Sequence, residues 1–144
     1  MVVARLGYAL IEIHGEMLTQ TRGQIQNVVQ AGSAIARSFV EKAKAGQIRE
    51  ETAKKMALDA IGAVRFEGAN YVFVSTFDGV TIAHPNPDWI GKNSSDLQDA
   101  KGKYYAREIS AAGRAGSGFV EYEWVKPGAK DPSHKITYGV GIPE

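Results

Sequence analysis

The stretch Tyr71-Val72-Phe73-Val74-Ser75-Thr76-Phe77-Asp78-Gly79-Val80-Thr81-Ile82-Ala83-His84-Pro85 decides how this chain folds. The runs on either side of Asp78-Gly79 are aromatic and β-branched. Asp-Gly is the dipeptide a tight hairpin turn favours, because its residues must accept positive φ. The stretch therefore predicts two antiparallel strands. A two-residue turn sets Phe77 against Val80 and Phe73 against His84; a four-residue loop changes the partners but keeps the faces. One face then carries Tyr71, Phe73, Ser75, Phe77, Val80, Ile82 and His84, and the other Val72, Val74, Thr76, Thr81 and Ala83. Both are apolar enough to require cover. The first mixes aromatic rings with two hydroxyls and an imidazole, the composition of a small-ligand pocket. A core histidine hydrogen-bonded to a neighbour fits this stretch equally well.

Upstream, Leu6, Leu10, Ile13, Met17, Ile25, Val28, Ile35, Phe39 and Ala43 recur at three- and four-residue steps, with Thr21 and Gly32 filling the gaps. This periodicity predicts one long scaffold helix over Leu6–Ala43, about 55 Å at 1.5 Å per residue. Gly46 follows as a C-cap after Lys42 and Lys44, whose charges suit the negative end of the helix dipole. A second helix is expected over Arg49–Arg65. Glu50/Lys54 and Glu51/Lys55 lie on its exposed side, and Met56, Leu58, Ala60, Ile61 and Val64 on its buried side. Arg65 in its last turn has two possible roles: to meet the terminal carbonyls, or to aim a guanidinium at the sheet.

Downstream, residues 85–93 form a loop rich in turn formers. A short helix is expected over Lys101–Ala112, with Tyr105, Ile109 and Ala112 on one face. The glycines of residues 113–118 lead into a strand; a phosphate-binding loop would open a helix, so they read as a turn. In the strand Phe119–Val125, Val120, Tyr122 and Trp124 alternate with Glu121 and Glu123, a solvated face and not a catalytic acid–base pair. A last strand, Lys135–Val140, returns beside it.

The chain of 144 residues has the length of one domain and no cysteine, which excludes disulfides, thiolate metal sites and cysteine nucleophiles. Its net charge of +1 points to neither nucleic acid nor an anionic membrane surface as partner. The longest apolar run, Leu6–Ile13, is interrupted by Glu12 and is far short of the ~20 residues a bilayer requires. Any membrane contact is expected through flanking segments.

The order of elements, together with Tyr71-Val72-Phe73-Val74, Asp78-Gly79, His84-Pro85, Gly91 to Leu97, Asp99 to Tyr104, Gly118 to Pro127 and Lys135 to Tyr138, resembles the single Cache domain family. These are extracytoplasmic sensor modules of bacterial methyl-accepting chemotaxis receptors and sensor kinases. The resemblance spans nearly the whole chain. It implies an α+β fold with a PAS-like antiparallel sheet packed against a long N-terminal helix (residues 1–45) and a second helix (49–65). The pocket would lie within residues 70–144, on the sheet's other face. It also implies a small organic ligand, most often a short carboxylate, a periplasmic location, and a homodimer through the N-terminal helix of the full-length receptor. By resemblance the pocket groups are Tyr71 and His84, with Arg65, Tyr122, Trp124 and Lys135 around the rim. Family members continue beyond residues 141–143 into a further strand that this sequence lacks, so an unpaired sheet edge is expected.

The chemistry fits a carboxylate of the acetate, propionate, pyruvate or lactate type. A buried carboxylate needs cations and donors, which Arg65, His84 and Tyr71 supply. Phe73, Ile82 and Trp124 would enclose a short chain. The expectation is a sensor that is not an enzyme and needs no cofactor or metal. Two alternatives remain: a haem sensor ligated by His84, and an enzyme using His84 as general base.

Overall fold

In a computed structural model, residues 6–12, 18–66, 70–125 and 129–142 are described. The long helix forms as α1, Leu18–Lys44, about 40 Å at 1.5 Å per residue. It ends as its sequence requires. Gly46 sits at φ +72°, the Gly46 N–H donates to Ala43 O and the Gln47 N–H to Lys42 O, both at 3.0 Å, closing a Schellman cap. Helix α2 follows at Glu50–Gly62.

Leu6–Glu12 is not helical: it forms strand β1. The spacing of Leu6 and Leu10 is four, which suits one face of a helix but, being even, also suits one face of a strand. Ile13 and Met17 of the expected stripe lie outside the described residues. β1 lies between β3, Asn70–Ser75, and β6, Pro132–Gly141, antiparallel to both, with Gly7 opposite Val74 and Glu12 opposite Lys135. Two strand edges with unsatisfied backbone groups outweigh a weak local helix preference. The unpaired edge expected in the sheet is therefore absent at β6, which pairs with β1 on one side and β5, Ser117–Val125, on the other.

The strand order is β2-β3-β1-β6-β5, where β2 is Arg65–Phe66, and β4, Thr81–Ala83, also pairs with β3. One face of the sheet packs on α1 and α2, burying Ile25, Val29, Ile61, Val72, Val74 and Ile136. Each such side chain contributes about 1.5–3 kcal/mol. The other face packs on α3, Tyr105–Arg114, through Tyr105, Ile109, Val120 and Tyr122. The expected α+β sheet with a covered second face is thus present.

The hairpin differs in a way that matters for the site. Its loop has three residues: Gly79 N–H donates to Thr76 O (3.0 Å), Thr76 N–H donates to Val80 O (2.8 Å), and Gly79 has φ +91°. This is the type I turn with a left-handed glycine that three-residue hairpins adopt. An odd loop reverses the faces, so Thr81 joins Phe73 and Ile82 packs in the α1/α2 core. A bulge then pairs Ser75 with Thr81 but Val74 with Ala83. The extra residue returns His84 to the face of Tyr71.

Candidate ligand-binding site

On the face of the sheet away from α1, a cavity of about 50 Å³ is lined by Tyr71, Phe73, Thr81, His84, Trp89, Ser94, Tyr105, Tyr122 and Trp124. Alternation along β3 puts Tyr71 and Phe73 there, and the bulge adds His84. The same alternation along β5 adds Tyr122 and Trp124. The rings form an almost continuous wall. His84 meets the Tyr71 ring edge-on at 4.9 Å between centroids and lies 6.2 Å from Trp89. Trp89 lies 5.6 Å from Trp124, and Tyr105 stacks on Tyr122 at 4.7 Å.

Polar groups punctuate this wall. Tyr122 Oη and Thr137 Oγ1 share a buried hydrogen bond of 3.2 Å, and burial pushes the Tyr122 hydroxyl far up, so it stays neutral. Burial also raises Tyr105, against a hydrogen bond with Ser94. Burial holds His84 below its ordinary value; the Asn86 backbone opposes this, and the charges of Arg65 and Lys135 reinforce it. The Asn86 N–H donates to His84 Nδ1 at 2.9 Å. Asn86 O also lies 3.1 Å from Nδ1, so the Asn86 backbone meets this nitrogen in either tautomer.

The expected cations are placed differently from one another. Lys135 is buried, and its Nζ lies over the Trp124 ring, 5.1 Å from the centroid. It does not line the cavity itself but lies against Trp124 and opposite Tyr122, which do. Arg65 does not line the cavity. It lies in β2 opposite Tyr71, past the end of α2, and its Nη1 donates to Gly62 O (2.7 Å) and Val64 O (2.8 Å). Of its two possible roles, the structure shows the one at the helix end. Its charge still reaches His84.

Four lining residues were not anticipated. Trp89 ends a 3-10 turn, Pro87–Trp89, capped by Asn86, whose Oδ1 accepts the Asp88 N–H (3.0 Å). A tryptophan inside a polar Asn-Pro-Asp turn was the available signal. Tyr105 lies on the expected buried face of α3, and that face also borders the cavity. Thr81 was missed because of the loop's odd length. Ser94 reaches the cavity because residues 91–95 are zipped to the hairpin: Gly91 N–H donates to Thr81 O (2.8 Å), and Ser94 N–H to Gly79 O (3.0 Å). No local sequence signal announces that contact.

The single Cache domain 2 family matches residues 17–144. The chain belongs to that family. The methyl-accepting chemotaxis protein McpP of Pseudomonas putida is 29% identical over 131 residues, 90% of this chain and 24% of that protein. This chain spans about a quarter of the length of the curated relatives it matches. Among solved structures, a periplasmic sensor domain of a chemotaxis protein aligns with a TM-score of 0.76 at 29% identity, over 89% of this chain and 98% of that one. Another, described as the structural basis for carboxylic acid recognition by a Cache chemosensory domain, aligns with a TM-score of 0.72 at 26% identity, over 92% and 100%. This Cache domain is a chemosensory, ligand-binding sensor domain of the periplasmic kind. Among the described residues no helix is long and apolar enough to cross a membrane.

Proposed function

We propose that this Cache domain binds a short-chain monocarboxylate in the aromatic cavity, as a sensor and not as an enzyme. The supporting observation is the Lys135 ammonium, buried and set against the Trp124 wall of a chamber of about 50 Å³. At 10–15 Å³ per water-sized body, that chamber holds roughly three to five heavy atoms, the size of acetate or propionate. Tyr71 and the neutral His84 would donate to the carboxylate, and Lys135 would supply the charge. Phe73, Tyr122 and Trp124 would enclose the chain, while Arg65 would contribute only at a distance. The carboxylic-acid neighbour belongs to the same family and supports this ligand class. The positive charges near His84 oppose a cationic ligand, and the volume leaves a haem ligated by His84 without space.

Occupancy would be passed through α1 to a transmembrane signalling protein. The ligand shifts the helix only by its differential affinity for two arrangements. Two copies would pair through α1 in the full-length receptor. Leu6 and Leu10, expected on that helix, lie in β1 instead. The exposed position Ile35 now offers the test. This sequence contains no cysteine, so oxidation of an Ile35→Cys receptor, in a background without other cysteines, should give a disulfide-linked dimer in membranes; only monomer would refute the pairing.

The ligand class is tested by calorimetric titration with acetate, propionate, pyruvate and lactate. The best tiny ligands gain about 1.5 kcal/mol per heavy atom, so acetate should bind no tighter than about tens of micromolar. Absence of binding by all four at millimolar concentration would overturn the assignment.

A further inference from the structure

A second cavity, of about 40 Å³, adjoins the first and shares Phe73, Thr81, Ser94 and Tyr105 with it. It lies deeper under α3, where Ser75, Ala106 and Ile109 complete its wall with Gly79. Its character differs from the outer chamber. Ser75, Thr81 and Ser94 are all buried, and they bring three hydroxyls from β3, β4 and the 91–95 loop to one small space. Neither an acidic nor a basic side chain lines it.

We propose that the ligand spans both chambers: a monocarboxylate whose far end carries a neutral hydroxyl or keto group, seated among Ser75, Thr81 and Ser94. This rests on the carboxylate reading above and narrows it. The physical argument has three steps. A ligand filling only the outer chamber leaves the inner one to water, which the hydroxyls would hold well. Displacing ordered water favours a group that reproduces its hydrogen bonds and disfavours a methyl. A second carboxylate or an ammonium would be buried there without an opposite charge, at high cost. Together these select, among ligands long enough to reach the inner chamber, against dicarboxylates, amino acids and plain fatty acids, and in favour of hydroxy or keto acids of roughly seven heavy atoms at the packing of small cavities.

The test uses acetate, butyrate and 4-hydroxybutyrate, titrated calorimetrically into the wild-type domain and two variants whose folding is checked by thermal melting. Wild type should bind 4-hydroxybutyrate about tenfold more tightly than butyrate. Ala106→Leu fills the inner chamber from α3 without a helix penalty and should lower the 4-hydroxybutyrate-to-acetate affinity ratio by about tenfold or more. Ser75→Ala removes a hydroxyl but adds no volume, and should cut the preference for 4-hydroxybutyrate over butyrate by about three- to tenfold. Equal binding of butyrate and 4-hydroxybutyrate by wild type, or wild-type ratios in both variants, would overturn the two-chamber proposal while leaving acetate binding in place. Failure of wild type to bind any of the three would instead remove the carboxylate reading, and this proposal with it.

Discussion

His84 and Lys135 divide the electrostatic work of the site in a way their residue types alone do not reveal. Lys135 is a buried cation at an aromatic wall. Replacing it with methionine keeps the apolar stem and removes the charge. The expected result is a loss of about 1.5–3 kcal/mol of carboxylate binding, roughly 10- to 100-fold in Kd by calorimetry, with the fold retained. Unchanged affinity would show that the charge acts elsewhere. His84 titrates below its ordinary value, chiefly through burial, so the unfolded chain takes up that proton first as pH falls. The stability it contributes is complete above about pH 6.5 and is lost as the pH falls from there through the folded-state pKa. Thermal melts between about pH 8 and 5 should show a shallower acid loss in His84→Gln than in wild type; parallel curves would contradict this. For binding, His84 is neutral in the free domain above neutrality, so affinity should be flat there. Any rise should come on acidification, as a bound carboxylate draws a proton onto the ring. Tyr71 with Phe73, and Tyr122 with Trp124, were legible as sharing a face because strand alternation is a local property, whereas His84 reaches that face only through the bulge. Trp89 and Ser94 were not legible, because their approach depends on how a loop folds back.

At the scale of elements, the hairpin and the loop over it form one unit. Asn93 Nδ2 and Ser95 Oγ both donate to Asp78 O, at 3.1 and 2.7 Å. Gly79 holds a left-handed φ beneath them, and a Cβ there would lie 2.6 Å from Ser95 Oγ. Gly79→Ala should therefore cost about 1–3 kcal/mol and lower the melting temperature by several degrees. It should also weaken ligand binding, since the displaced loop carries Ser94. A melting temperature within about one degree of wild type would show that the turn relaxes without strain. The sequence marked this turn correctly at Asp78-Gly79 but left its length open. That one-residue difference moved Thr81 onto the site face and Ile82 off it. At the N-terminus, local pattern favoured a helix through Leu6 and Leu10, and strand pairing decided otherwise.

For the molecule as a whole, β5 touches both the cavity and α1, and the route proposed between them runs through it. Its one face supplies Tyr122 and Trp124 to the cavity, and its other presents Glu121 to Arg22 of α1. His134 bridges Glu121 and Glu123 at 3.3 Å each, and Lys101 pairs with Glu123 at 3.0 Å. The two glutamates expected to face solvent thus form a charged network that ties α1 to the site strand. On binding acetate, amides around Arg22 should gain hydrogen-exchange protection in wild type. In Glu121→Gln that gain should fall by about half or more while Kd stays within about threefold. Equal protection in both would break the proposed link. The alternation of β3 and β5, the turn at Asp78-Gly79 and the cap at Gly46 all follow from the sequence, because each depends on residues within a few positions of one another. The helix stripe was legible only in part: Ile25 is buried as expected, but the buried face runs on through Val29, Ala36 and Val40, leaving Val28 and Phe39 at its margin and Ile35 exposed. Only the tertiary structure decided that residues 6–12 complete the sheet, that Arg65 spends its guanidinium on the backbone carbonyls of Gly62 and Val64, and that Trp89, Ser94 and Tyr105 close the cavity. Those outcomes depend on which distant backbone groups and rings find partners, and no local periodicity encodes that competition.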